Sequence, residues 1–365
     1  MISAVLFITF FVLLILNIPI AICLGLSSVA AILYSGTSLN IVATNMYSGI
    51  SKFLLLAIPF FVLSGNIMAK AGISKRLIKF VDTCVGHRRG GLAIVCIIVA
   101  CFFGAISGSG PATVAALGAV LIPAMVEKGG FSAPFATALM ATSSSVAIVI
   151  PPSIAFVVYA SITGVSISDM FMAGIVPGIL LGVALIVVVM IEARRKGVQP
   201  CEKKASAKER WLAFKDAFWG FLMPVIILGG IYGSVFTPTE AAAVSVVYGL
   251  FVGMVIYKEV KFKDLFGILI ESAKTTGGIM LIVAAATLFS FVCTQAASGL
   301  LGSVAKNQFT FLLIVNVIFL IAGCFIDANS AMYIFIPIML PVCKSLGYDV
   351  VAFGVVATVN LAIGQ

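Results

Sequence analysis

The feature that most constrains this chain is the length of its charge-free runs. Residues 1–51, 90–126, 129–168 and 275–305 contain no Asp, Glu, Lys or Arg. A helix of about 20 residues crosses the hydrocarbon core of a bilayer. Only helices and closed barrels satisfy their backbone hydrogen bonds there, and continuous apolar runs indicate helices. With 10% charged residues, the chain has too few charges for a soluble protein. The sequence predicts an all-α polytopic membrane protein.

The basic residues lie in three short segments between the apolar runs. These segments are 75–89, 192–216 and 258–263. Short loops rich in Lys and Arg are cytoplasmic. The net charge of +9 is therefore interpreted as an orientation signal in a lipid bilayer, and no nucleic-acid partner is predicted.

Placing all three basic segments in the cytoplasm predicts the organisation of the chain. Within N-terminal scaffold helices (1–69), residues 1–34 are predicted to form one outward-crossing helix. Residues 70–90 form an amphipathic arm helix lying flat on the cytoplasmic surface. The remaining segments follow in order: a first hairpin with an interrupted helix (91–161), a scaffold helix (162–191), a cytoplasmic basic loop (192–216), scaffold helices of a second repeat (217–306), and a second hairpin with the start of another interrupted helix (307–365).

Two re-entrant helical hairpins follow from the same charge distribution. The run 90–126 is too short for two crossings, which take about 40 residues plus a turn. A single crossing would place the basic loop 192–216 outside. A hairpin that enters and leaves from the cytoplasm fits, with its tip at 107–112. Residues 307–326 and 328–343 then form a second hairpin from the outside.

A weak internal repeat relates the two hairpins. Shifting the chain by 218 residues places Ser109 opposite Asp327, at the two tips. Three identities accompany the shift, a number that chance can also produce: Pro123 with Pro341, Gly129 with Gly347, and Phe135 with Phe353. Hairpins of opposite orientation are typical of inverted structural repeats in secondary transporters.

Two candidate sites lie in the first repeat. The tip Gly104–Thr113 breaks a helix with small residues and a proline, which would expose carbonyl and amide groups at depth. The alternative is a close-packing face of Gly and Ser. Residues Ser143–Ser153 include Pro151 and Pro152, which predict an interrupted helix. A simple proline kink is the alternative.

A third candidate site is Asp327 with Asn329 and Ser330. A carboxylate at membrane depth is a functional hypothesis by default, although external water could simply solvate it. The segment Thr237–Glu240 is instead predicted to be a helix-capping box.

Enzyme signatures are missing from the sequence. It contains no Gly-Lys dipeptide and one histidine, His87. This excludes a Walker A motif, an HExxH zinc site and a Ser–His pair within the membrane. The chain is not predicted to be an enzyme or to carry a cofactor.

Five stretches together resemble the large membrane subunit of TRAP transporters, the tripartite ATP-independent periplasmic carriers. The similarity runs in order along essentially the whole chain. The stretches are Ile58–Asn66, Gly104–Thr113, Ile150–Ile154, Pro238–Ala243 and Phe325–Ser330.

This resemblance implies an elevator-type fold like that of the ion transporter superfamily. It implies uptake of an organic acid, such as a C4-dicarboxylate or a sialic acid, driven by a Na⁺ gradient across the bacterial inner membrane. The implied partners are a periplasmic substrate-binding protein and a small four-helix membrane subunit. The alternatives are a stand-alone divalent-anion:Na⁺ symporter and a non-transporting membrane scaffold.

The resemblance also implies site residues. One Na⁺ is expected at Ser107, Ser109 and Gly110 with Ser143, Ser144 and Ser145, and a second at Gly323, Asp327 and Gly364. The substrate is expected at Ser107, Gly108, Pro111, Pro151, Pro152, Asn329 and Ser330. In the family the second interrupted helix continues past a counterpart of Ile150–Pro152. This sequence stops before it, so the second ion site and one substrate wall are expected to be incomplete and the chain to be a truncated subunit.

Overall fold

The computed structural model describes residues 2–198, 204–296 and 307–365, with the backbone alone at 295 and 296. These residues form helices joined by short turns, without a strand. The α-helices are α1 Ile2–Ile15, α2 Ile20–Ser35, α3 Asn40–Ile50, α4 Ala57–Lys70, α5 Ile73–Val85, α6 Gly91–Ser107, α7 Gly110–Glu127, α8 Ala133–Val149, α9 Ile154–Thr163, α10 Ile167–Arg195, α11 Ala207–Tyr232, α12 Pro238–Phe251, α13 Phe262–Ala296, α14 Gln308–Phe325, α15 Ala328–Ser345 and α16 Val350–Gly364.

The chain divides into two compact units. The first unit comprises Met1–Leu56, Ala155–Met170 and Ala273–Gln365, and the second comprises Ala57–Ile154 and Phe171–Ser272. Within the first unit, α1 packs on α2, and α14, α15 and α16 pack on one another. Within the second unit, α8 packs on both α6 and α7, α5 packs on α6 and α11, and α4 packs on α12.

The described helices confirm a polytopic membrane protein. Seven are long and apolar enough to cross a bilayer, and the number is eight if α8 and α9, which are bent by 43° at their break, are counted as one span. The seven are Phe53–Lys70, Gly110–Glu127, Ile167–Arg195, Ala207–Tyr232, Pro238–Ile256, Phe262–Thr294 and Gln308–Phe325.

The prediction of one helix over residues 1–34 is wrong. The chain leaves the helix after Ile15, and Asn17 adopts a left-handed conformation with φ of 60°. Pro19 then precedes the first residue of α2. A proline lacks the amide that would continue the first helix and disfavours helix just before it. The result is two helices of 14 and 16 residues that pack against each other.

The basic segment 192–216 is also not a loop throughout. Helix α10 continues to Arg195, and α11 already begins at Ala207. Ser206 and Glu209 form a reciprocal capping box that satisfies the first amides of α11. Residues 199–203 of the predicted loop lie outside the described part of the chain.

Helix α5 lies within the segment predicted to be an amphipathic arm. Its buried face includes Ile73, Leu77 and Val81, whereas Lys75 and Lys79 are exposed. This alternation follows the spacing of one helical face. Its placement flat on the membrane surface stays a prediction.

Arg76 links α5 to α11 and to the segment that follows α12. Its guanidinium lies 3.2 Å from Asp216 and 2.6 Å from Glu259. It also stacks on the ring of Tyr257, 3.8 Å from the ring centroid. Burial lowers the pKa of Arg76, but the hydrogen bond and charge of Glu259, together with Asp216, outweigh burial and raise the pKa overall. Arg76 is therefore a charged contact point for three segments of the second unit.

We predict that Arg76→Ala lowers the free energy of unfolding by about 2 kcal/mol, because it leaves two carboxylates without their cation. Arg76→Lys should lose only about half as much stability, since lysine keeps the charge but lacks the planar guanidinium that binds two carboxylates and stacks on Tyr257. Denaturant unfolding in detergent measures both changes. Lys75→Ala, at an exposed position on the same helix, is the control and should change stability by less than about 0.5 kcal/mol. Equal stability of Arg76→Ala and Lys75→Ala would contradict the role of Arg76.

Candidate functional site

The first tip is a two-residue break between α6 and α7 in the second unit. Helix α6 ends at Ser107, Gly108 adopts a left-handed φ of 62°, and Ser109 caps α7. The Ser109 hydroxyl accepts a hydrogen bond from the Ala112 amide at 3.5 Å. Pro111 lies in the first turn of α7, where an amide would have no partner within the helix, so its missing amide loses no helical hydrogen bond. The sequence-based prediction of a helix break at this tip is confirmed.

The interrupted helix is confirmed at the predicted prolines. Helix α8 ends at Val149 and α9 begins at Ile154, so Ile150 to Ser153 form the break. The Pro151–Pro152 bond is cis. The buried Ser153 hydroxyl donates to the Ile148 carbonyl at 2.5 Å.

The first tip and this break meet through the backbone. The Ile154 amide donates to the Gly108 carbonyl at 3.2 Å. A Cβ on Gly108 would lie 2.9 Å from the Pro152 carbonyl oxygen, so the glycine permits this approach. The structure thereby brings Gly108 beside Pro152, both predicted to contact substrate.

The serines of α8 lie beside the start of α7. A Cβ on Gly110 would lie 3.2 Å from the Ser144 carbonyl oxygen. The Ser144 and Ser145 hydroxyls both donate to the Ala141 carbonyl. The buried Ser143 hydroxyl lies beside the Cys96 thiol, a weak hydrogen-bonding group. Among the described residues it has no hydrogen bond of standard geometry.

The hydroxyls of the first tip form a small network. Ser107 Oγ lies 3.3 Å from Thr113 Oγ1, and Thr113 Oγ1 donates to the Ser109 carbonyl at 2.8 Å. Thr113 is fully buried. Thr113 and Ser153 each end one of the two candidate segments, but neither is among the ion or substrate residues that the resemblance implies. Hydroxyl and carbonyl oxygens are the ligands that hard cations accept. No group of His, Cys, Asp and Glu in the described residues could hold a metal instead.

The second tip lies between α14 and α15 in the first unit. Asp327 caps α15, accepting the Ser330 amide at 3.2 Å and the Ser330 hydroxyl at 2.5 Å. The Oδ1 atom of Asn329 is buried and has no hydrogen-bond partner among the described residues. The carboxylate therefore has a structural role as a cap.

Gly323 and Gly364 meet where α14 crosses α16. A Cβ on Gly323 would lie 3.0 Å from Gly364 Cα, and a Cβ on Gly364 would lie 2.8 Å from Gly323 Cα. The two predicted residues are thus adjacent, and a close helix crossing accounts for both glycines. Close approach of this kind is what small residues permit between membrane helices.

A polar pair near this crossing lies outside the predicted set. The Asn360 side-chain amide donates to Asn316 Oδ1 at 2.6 Å and to the Val356 carbonyl at 2.8 Å. Asn360 is 7% exposed. The signal that could have identified the pair is the presence of two amides within otherwise apolar runs, which membrane helices tolerate when paired.

The helices that follow the two tips begin and end at the same offset in the chain. Helix α7 spans Gly110–Glu127 and α15 spans Ala328–Ser345, so both ends differ by 218 positions. The caps Ser109 and Asp327 differ by the same number. Each tip is also preceded by a helix whose glycine closely approaches the helix after the hairpin: Gly104 with Ala147 and Gly323 with Gly364. The opposite orientation of the two repeats stays a prediction.

Comparison with known proteins assigns a family to this arrangement. Residues 7–365 match the family described as "Tripartite ATP-independent periplasmic transporter, DctM component". The chain is 39% identical to a C4-dicarboxylate TRAP transporter large permease protein DctM of Rhodobacter capsulatus, covering 96% of this chain and 83% of the relative. Identity is 42% to the protein of the same name in Pseudomonas aeruginosa, covering 93% and 81%. An isethionate TRAP transporter permease protein DctMQ of Oleidesulfovibrio alaskensis is 39% identical, covering 99% of this chain and 58% of the relative.

We predict that Gly108→Ala lowers the free energy of unfolding by about 3 kcal/mol. About 1 kcal/mol comes from placing a side chain in the left-handed region, and the rest from overlap with the Pro152 carbonyl. Gly130→Ala is the matched control, because Gly130 has a φ of 68° but nothing within 4 Å of an added Cβ. The free energy of unfolding of Gly130→Ala should fall by only about 1 kcal/mol, the contribution of the left-handed conformation. Chemical denaturation in detergent compares the two. Equal losses would show that the tip does not pack against the Pro152 carbonyl.

Proposed function

Because this chain belongs to the DctM component family of tripartite ATP-independent periplasmic transporters, we propose that it carries an organic acid across a bacterial inner membrane. The observation that supports this most strongly is the family match over residues 7–365, which includes both tips. Two relatives are named for C4-dicarboxylates and one for isethionate. A C4-dicarboxylate or a related small acid, with sialic acids as a further class, is the proposed substrate.

We propose Na⁺ as the coupling ion. The first ion would lie among Ser107, Ser109, Gly110 and the serines Ser143, Ser144 and Ser145. A bare cation at membrane depth needs oxygen ligands to offset its lost hydration. The buried Ser143 hydroxyl without a standard hydrogen bond supports this position. The second ion would lie at Gly323, Asp327 and Gly364, where the carboxylate contributes negative charge.

The anionic substrate is proposed to bind at the N-termini of α7 and α15. Helix N-termini present free amides and a partial positive charge to anions. Neither tip segment, 104–113 or 327–330, contains Lys or Arg, so these amides would replace a basic side chain. The contacting residues would be Ser107, Gly108, Pro111, Pro151, Pro152, Asn329 and Ser330. The unpartnered Asn329 Oδ1 is available to accept a hydrogen bond from a substrate hydroxyl or carboxylic acid.

An inverted repeat with elevator-type movement is the proposed transport mechanism. The constant offset of 218 positions between α7 and α15 supports two repeats of one ancestral module. In the elevator-type movement that the resemblance implies, a module would carry the substrate and the ions across the membrane.

The proposed partners are a small four-helix membrane subunit and a periplasmic substrate-binding protein. The DctMQ relative extends well beyond its match to this chain, which covers 58% of it. A permease that carries further sequence under a joined name is consistent with an additional membrane component.

We predict that uptake of a radiolabelled C4-dicarboxylate requires all three proteins and an inward Na⁺ gradient. The measurement is uptake into proteoliposomes that contain the two membrane subunits, with and without added binding protein. Replacing Na⁺ by K⁺ should abolish accumulation. Uptake without the binding protein would instead favour a stand-alone divalent-anion:Na⁺ symporter.

Ser143→Ala is expected to raise the Na⁺ concentration for half-maximal uptake about tenfold. The loss of one oxygen ligand to a cation is comparable to the loss of a charge-assisted hydrogen bond, about 1.5 kcal/mol. Ser245→Ala is the control, because Ser245 is equally buried but its hydroxyl donates to the Ala242 carbonyl at 2.6 Å. The same Na⁺ dependence in both variants would exclude Ser143 from the ion site.

A further inference from the structure

A basic and aromatic cavity of about 640 Å³ lies at the start of α11 in the second unit. Its walls include Phe80 of α5, Lys204, and three residues of α11: Arg210, Trp211 and Phe214. Among the described residues that line it, two are cationic and none is acidic. The cavity therefore favours an anionic ligand with apolar parts.

Arg210 has an unsatisfied donor in this region. Its Nε donates to the Thr83 carbonyl of α5 at 3.2 Å. Its Nη2 is buried and has no hydrogen-bond partner within the described residues. A buried charged donor without an acceptor is costly. Arg210 lines the cavity, so an anionic group there would lie beside this guanidinium, and guanidinium groups match phosphate oxygens in geometry.

Aromatic rings form the apolar part of the cavity. Trp211 stacks on Phe214 with ring centroids 5.7 Å apart, and Phe80 contacts Phe214 at 5.6 Å. Trp211 is 57% exposed although it lies in a helix that qualifies as a membrane span, Ala207–Tyr232. Aromatic and basic side chains together at the end of a span are typical of the membrane–water interface.

The same face of α11 continues as an exposed apolar strip. Phe218 is 40% exposed and Val225 is 63% exposed. Residues 211, 218 and 225 are seven positions apart, two helical turns each, so they share one face. A ligand with its charged end at Arg210 would have room for a hydrocarbon chain along this strip.

We propose that this cavity binds the phosphate of an anionic phospholipid, with an acyl chain along the Trp211–Val225 face. Free phosphate would satisfy Arg210 but would leave the apolar strip unused. The site is separate from the tips, and it does not depend on the proposed transport function.

Tryptophan quenching by brominated lipids tests the proposal. The chain has two tryptophans, so Trp219→Phe leaves Trp211 as the reporter. This variant of the complete subunit is placed in phosphatidylcholine vesicles with increasing brominated phosphatidylglycerol or brominated phosphatidylcholine. We expect phosphatidylglycerol to quench Trp211 with about tenfold higher apparent affinity, the effect of one charge-assisted contact.

Two added substitutions locate the headgroup contact. Arg210→Gln should reduce the preference for phosphatidylglycerol to near unity. Lys208→Gln is the control, because Lys208 is exposed on the same helix and does not line the cavity. It should keep the preference. Lys204 is also exposed, and Lys204→Gln should reduce the preference for phosphatidylglycerol in part. This variant tests the headgroup contact if Arg210→Gln does not fold.

Several results would overturn the assignment. Equal quenching by the two lipids in Trp219→Phe would exclude a headgroup site. Equal loss of preference in Lys208→Gln and Arg210→Gln would indicate general surface charge. Loss of the preference on adding inorganic phosphate would assign the cavity to free phosphate rather than lipid.

Discussion

The rest of the structure depends on one constraint: inside a bilayer, the chain itself must satisfy the backbone groups that a helix break exposes. Each break at the candidate site meets this requirement locally. The Gly108 carbonyl accepts the Ile154 amide, so the first tip and the interrupted helix stabilise each other. Asp327 caps α15 and satisfies the amide and hydroxyl of Ser330. Non-helical backbone therefore persists at the tips because specific neighbours pair with its hydrogen-bonding groups.

The sequence predicted the features that follow from local chemistry. Tandem prolines predicted the break at Ile150–Ser153, small residues with Pro111 predicted the first tip, and Thr237 with Glu240 predicted the capping box that the structure contains. The positions of the charged residues could not predict the break at Pro19, because residues 1–51 contain no charged residue. In the basic segment, the loop was predicted from charge alone, which carries no information about the Ser206–Glu209 capping box at the start of α11.

Most of the features that could not be predicted from the sequence depend on tertiary contacts. Asn316 and Asn360 are 44 positions apart, and no spacing rule relates them; only the crossing of α14 and α16 brings them together. The pairing of two glycines could not be predicted from the sequence for the same reason. A sequence shows that Gly323 and Gly364 are small, but their pairing depends on two helices approaching until a Cβ would not fit. The predicted ion-site residues thus include positions that the fold also needs for close helix packing.

The described polar groups of the candidate site differ in whether the fold itself satisfies them. Ser144 and Ser330 have hydrogen-bond partners, whereas the adjacent Ser143 Oγ and Asn329 Oδ1 lack standard ones among the described residues. The same criterion separates two arginines of the second unit. Arg76 is paired with Asp216 and Glu259, so it stabilises the fold. Arg210 has a buried Nη2 without an acceptor among the residues that the structure describes. An unpaired buried donor costs free energy, which is the physical basis of the proposed anionic ligand at Arg210.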